Sequence, residues 1–101
     1  MSNWYVSRPW TADDVARVAR DRARANVAIR VEPVEKDESG SRILYAWRLR
    51  MEHERDGKRF AIAHDISQDA MRYANAGWEA VVEMATDAAG SALLRAVGEN
   101  Q

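Results

Sequence analysis

The sequence predicts a single α+β domain over residues 1–101: a three-stranded antiparallel meander with two helices on one face, in α-β-β-β-α order, with an N-terminal edge strand as an option. Three observations predict it. The hydrophobic period changes from helical to two at Val27, and back to helical at Ser67. Asp56-Gly57 is the dipeptide of a two-residue type I′ hairpin. Only one face of the strands around that turn is apolar, so both helices must cover that face.

The first segment, Asn3 to Arg8, has room to add an edge strand, and Trp4, Tyr5 and Trp10 around Pro9 should tuck against the sheet edge or the helices, with an interface anchor as the alternative. A helix then starts at Thr11. Thr11 is its N-cap and Asp14 completes a short capping box, with Trp10 and Val15 at the two positions of a hydrophobic staple. The helical spacing of Ala12, Val15, Ala16, Ala19 and Ala23 carries it to about Asn26, with Arg17, Arg20 and Arg24 on another side. Val27, Ile29 and Val31 alternate with polar or small neighbours, which predicts a strand ending near Pro33, followed by a loop over residues 36–41.

A long strand follows, in which Ile43, Tyr45, Trp47, Leu49, Met51 and His53 form the inward set. Counting back from Asp56-Gly57 pairs Arg55 with Lys58, His53 with Phe60, Met51 with Ile62, Leu49 with His64 and Trp47 with Ile66. The same count sets Glu54 opposite Arg59 and Arg48 opposite Asp65 on the outer face, two opposite-charge pairs. Ser67 is the N-cap of a last helix whose core positions, Met71 to Ala96, keep one period for about 30 residues, with a break expected at Gly90-Ser91 and close packing at Gly77.

The order of elements resembles that of the double-stranded RNA-binding domain, over about residues 11–97. The resemblance implies nucleic-acid binding, for which the charge distribution offers Arg17, Arg20, Arg24, Arg48 and Arg50. That family grips phosphates with lysines at the start of its last helix, whereas Ser67-Gln68-Asp69-Ala70-Met71-Arg72 holds an acid and no lysine here.

Composition narrows the chemistry. There are 15 basic and 16 acidic residues and no cysteine, which excludes disulfides, thiol nucleophiles and cysteine-bound metals and suits a reducing cytoplasm. No secretory leader and no uninterrupted apolar span is evident, so neither export nor a membrane partner is expected. His53 and His64 lie about 13 Å apart in the hairpin register, too far for one ion. Ser67 has no nucleophile-elbow sequence around it, and the five glycines are too scattered for a phosphate loop. No enzyme, metal or cofactor is expected.

Charge is distributed unevenly, as +3 over residues 1–30, −1 over 31–66 and −3 over 67–101. Arg17, Arg20 and Arg24 face one way on the first helix, and Glu79, Glu83 and Asp87 recur at every fourth position on the last; the two rows either pair internally, are simply solvated, or meet a partner. The outer sheet face, with Arg30, Leu44, Ala46, Arg48, Arg50, Ala61 and Ala63, is the second candidate surface. The expectation is a cytoplasmic, non-catalytic protein-interaction module or accessory subunit, binding another protein or itself as a homodimer. Nucleic-acid binding is the first alternative, and a small phage or mobile-element inhibitor of a host complex the second.

Overall fold

The computed structural model describes residues 10–24 and 26–99. The edge strand expected over Asn3 to Arg8, with Trp4 and Tyr5, lies outside them. Helix α1 is Ala12–Arg22, and strands β1 (Ala28–Glu38), β2 (Ser41–Arg55) and β3 (Lys58–Ser67) form one antiparallel sheet in the order β1-β2-β3. Helices α2 (Gln68–Arg72) and α3 (Trp78–Glu99) follow. This is the expected α+β meander with its helices on one sheet face.

The capping box at Thr11 is formed on both sides: the Asp14 amide donates to Thr11 Oγ1 at 3.1 Å, and the Thr11 amide donates to Asp14 Oδ2 at 3.0 Å. Two of the orphan amides of the first turn are thereby satisfied. Val15, Ala16, Val18 and Ala19 are buried under this helix. Trp10, just before the cap, is also buried and meets Trp78 with ring centroids 5.8 Å apart; its Nε1–H has no hydrogen-bond partner among the described residues. The helix ends at Arg22, about a turn before Asn26. Nothing in Ala23-Arg24-Ala25-Asn26 breaks a helix locally. The chain leaves it because Ala28 must meet Glu52 and Ile29 must meet Met51 in the sheet, a demand that helix propensity does not contain.

Both hairpins close with two-residue turns whose residues have positive φ: Ser39 (52°) and Gly40 (83°), then Asp56 (54°) and Gly57 (78°). The second turn and every pair counted from it are as the sequence predicted, including Arg48 opposite Asp65. The first turn corrects two expectations. Strand β1 does not stop at Pro33 but runs to Glu38, so the loop expected over 36–41 shrinks to Ser39-Gly40. Pro33 is tolerated because β1 is an edge strand and alternation turns the position of its missing N–H away from β2.

A bulge corrects the inward set of β2. Val34 faces Ala46 but Glu35 faces Leu44, which leaves Tyr45 unpaired and shifts the alternation by one residue. Leu44 therefore turns inward and packs against the core, while Ile43 and Tyr45, expected inside, are 44% and 51% exposed. Beyond the bulge the β1–β2 hairpin projects past the helices as an arm, and the molecule measures 55 × 30 × 18 Å. On that arm the Lys36 ammonium lies 3.6 Å from the Tyr45 ring centroid.

The long last helix is two helices. Ser67 caps α2, accepting from the Ala70 amide at 3.3 Å. Met71 is buried, and Trp47 Nε1 donates to Gln68 Oε1 at 2.9 Å, tying α2 to β2. The break falls at Gly77 (φ 96°), a conformation side chains resist, and α3 passes through Gly90-Ser91 unbroken. Gly77 thus serves a turn and not close packing. Ile29, Trp47, Leu49, Met51 and Ile66 of the sheet meet Val15, Val18 and Ala19 of α1 and Val82, Ala85, Ala89 and Leu93 of α3 in one core. Leu49 at 0% exposure contributes about 2–3 kcal/mol by burial alone.

Candidate functional site

No element among the described residues covers the outer sheet face, and its arginines are partly spent on neighbours. Arg48 forks onto Asp65 (2.8 and 3.0 Å), and Arg50 Nε donates to Glu32 on the other side. Those hydrogen bonds hold the Asp65 and Glu32 carboxyls below the usual carboxylate range and raise Arg48 further. Arg30, Ala61 and Ala63 are exposed as expected. Ala46, at 1%, offers no surface, and Leu44 belongs to the core side. Of the seven residues proposed for this face, five stand on it with surface to offer.

The two helical charge rows meet at one point, through a residue outside the expected arginine row. Arg22 donates to Asp87 through Nε at 2.9 Å and Nη2 at 2.8 Å, joining α1 to α3, raising Arg22 and lowering Asp87. Arg20 reaches the Ile29 carbonyl at 3.4 Å. Arg17 and Arg24 are exposed, with no ion pair among the described residues. Arg17, Arg20 and Arg24 sit on the helical layer while Arg48 and Arg50 sit on the opposite sheet face, so the fold does not gather the five into one basic surface.

The two sheet edges differ. The two-residue turn makes Arg55–Lys58 a hydrogen-bonded pair, so along β3 the even residues bond to β2 and Arg59, Ala61, Ala63 and Asp65 turn their N–H and C=O to an edge that no strand among the described residues covers. That edge has no proline and no bulge. By contrast, the β1 edge is interrupted by Pro33 and by the bulge beside it, and Glu35 to Glu38 beyond are all exposed. These are devices that discourage strand addition, and β3 lacks both proline and bulge.

A cleft of about 430 Å³ opens where α1 stops short. Its walls are Ala23, Arg24, Asn26 and Val27 after α1, the β2 end at Met51, His53 and Arg55, and α3 from Thr86 to Val97. Met51, Leu93 and Val97 are its apolar floor, and His53 Nδ1 lies 3.4 Å from the Asn26 carbonyl. Thr86, buried against it, donates to the Val82 carbonyl at 2.7 Å. Of its lining the sequence singles out Arg24 and Asp87 as charge-row residues and weighs His53 as a metal ligand, without placing the three together. No local pattern announces a cleft made by one helix ending a turn before its neighbour.

His64 faces Leu49 and His53 faces Phe60, which keeps the two rings apart as counted. Among the described residues no group of three or more His, Asp or Glu side chains is placed to hold a metal ion, and no helix is long and apolar enough to cross a membrane. Comparison with protein-family models, with curated proteins and with solved structures finds no match to this chain.

Proposed function

We propose that the chain is a non-catalytic protein-interaction module of the cytoplasm that works as a homodimer, joined through β3. The observation that supports this is the self-complementarity of the open β3 edge. A second copy laid antiparallel about a two-fold at Ile62 sets Ala61 opposite Ala63 and Arg59 opposite Asp65, with each pair repeated by symmetry. All four residues turn their backbone groups to the open edge, as a hydrogen-bonded ladder requires. Alanines let the strands approach, and each Arg59, exposed and without an ion pair among the described residues, gains the Asp65 of the other copy. Shifting the strands by two residues in either direction loses both charge pairs. The resulting six-stranded sheet merges two outer faces into one broad surface for a further protein.

Light scattering tests this. The wild-type chain should weigh twice 11.4 kDa at high concentration. Ala63→Pro removes an N–H that faces the open edge and no bond to β2, so it should give a folded monomer. Arg59→Glu, which opposes like charges, should weaken the dimer in low salt. A wild-type chain that stays monomeric, or an Ala63→Pro variant that stays dimeric, refutes pairing through β3.

A further inference from the structure

The cleft beside the end of α1 is separate from the sheet edge, and its charges are matched from within the chain. Arg22 donates twice to Asp87, and Arg55 Nε lies 3.9 Å from Asp56 Oδ2 in the adjoining turn. Arg24, exposed, stands one residue beyond the Ala23 cap, beside the last carbonyls of α1, which together carry about half a negative charge. No cluster of free like charges therefore selects an ion here. What the cleft offers is apolar: Met51, Leu93 and Val97 form the floor, and Leu94 lines it while 49% exposed. A volume of about 430 Å³ with such a lining falls in the range of small-molecule sites, which are mostly apolar with a few placed polar groups. The polar groups are the Asn26 and Ser91 side chains, which line the cleft and make no hydrogen bond to another described residue.

We propose that this cleft binds an uncharged single-tail amphiphile, of the fatty-alcohol class. The shape favours a chain. Thr86, Gly90, Leu93 and Val97 line the cleft along about three turns of α3, a run of about 16 Å at 1.5 Å per residue. A Cβ at Gly90 would meet nothing within 4 Å, so this wall leaves open space at its middle. The tail lies along the wall on Met51, Leu93 and Val97, and the hydroxyl, at once donor and acceptor, meets the Asn26 and Ser91 side chains, which supply both roles without a charge. A carboxylate or ammonium head would give up more hydration for the same tail. The site exists because α1 ends at Arg22. One more turn of helix, about 5.4 Å, would extend α1 into the space that the connector leaves open.

Octanol below its solubility limit is the probe, with octanoate and octylammonium as anionic and cationic homologues of the same tail, read by amide NMR on the full chain. Octanol should shift the amides of Asn26, Val27, His53 and Ser91, and each charged homologue should bind at least about threefold more weakly. Gly90→Leu should abolish the octanol shifts by filling the cleft; it replaces glycine inside a helix with a better helix former, so the fold is not at risk. Ser91→Trp should block the same space from the next residue. Circular dichroism confirms that both variants are folded. Arg24→Gln should leave octanol affinity unchanged within about twofold, because an uncharged ligand feels no Coulomb attraction. Octanoate or octylammonium binding as tightly as octanol overturns the proposal, as does a larger loss in Arg24→Gln or full binding by Gly90→Leu. Shifts confined to the outer sheet face or β3, or no shift up to the solubility limit, overturn it too. Solution mass is measured on the same samples, so a failure here leaves the dimer question separately answered.

Discussion

Replacing Gly77 and Gly90 by alanine, one at a time, should move stability in opposite directions. Gly77 has φ of 96°, and a Cβ built there meets nothing nearer than Glu79 Oε1 at 3.8 Å. Space is therefore not the problem, and the cost is conformational: about 1–2 kcal/mol for forcing an L-residue to positive φ. Gly90 lies inside α3 with nothing within 4 Å of a built Cβ. Alanine there removes the backbone-entropy penalty of glycine in a helix and should stabilise by about 0.5–1 kcal/mol. The two variants should differ by about 2 kcal/mol, and each kcal/mol moves Tm by about 4–8 °C in a domain of this size. Urea titration followed by tryptophan fluorescence measures it, since Trp10 and Trp47 are buried, and an unchanged m-value confirms that only stability moved. A Gly77→Ala variant more stable than wild type would mean that the helix runs unbroken from Ser67 and would refute the placement of the break.

Thr11→Ala should cost about 1 kcal/mol, because the Asp14 amide loses its Thr11 Oγ1 acceptor while the backbone amide of residue 11 can still donate to Asp14, and helix content by circular dichroism should fall slightly. Leu49→Ala, at a fully buried position, should cost about 2–5 kcal/mol, readable as a drop in the urea midpoint. Asp65, Asp87 and Glu32 have folded pKa values lowered by their arginine partners. The unfolded chain then binds more protons in acid, so this stabilisation is present above the ordinary carboxylate range of about 4 and is lost as pH falls through the depressed folded values. Tm measured downward from neutral pH should decline from about pH 4, and because all three pairs are solvent-exposed, molar salt should flatten that decline. A decline that salt leaves unchanged would contradict the assignment to these pairs.

The β2–β3 hairpin was legible in the sequence because its determinants are local. Asp56-Gly57 sets the register, and a period of two on either side carries it for ten residues without a competing signal. The caps at Thr11 and Ser67 were legible for the same reason, since each is an interaction between residues three apart. The β1–β2 hairpin was less so. Its Ser39-Gly40 turn sits in a charged stretch with no apolar alternation to frame it, and the bulge at Tyr45 reverses faces without altering the pattern of residue types. Of the residues singled out as a surface, Arg30, Arg48, Arg50, Ala61 and Ala63 lie on the open face, whereas the bulge turned Leu44 inward and neighbours buried Ala46.

What the sequence by itself determined is everything decided within a few residues: the α+β class, the helix starts at Thr11 and Ser67, the second turn and the pairing that follows from it. Tertiary structure decided where helices end. Helix α1 closes at Arg22 although its local sequence would continue, because the chain must reach the sheet register, and α2 closes at Arg72, ahead of the Gly77 turn from which α3 restarts at Trp78. Propensity differs by only a few tenths of a kcal/mol among such residues, while burying Ile29 or Val82 contributes a kcal/mol or more, so packing overrides it. The cleft and the contrast between the two sheet edges follow from those decisions, which is why the surfaces proposed to carry function became visible only in the fold.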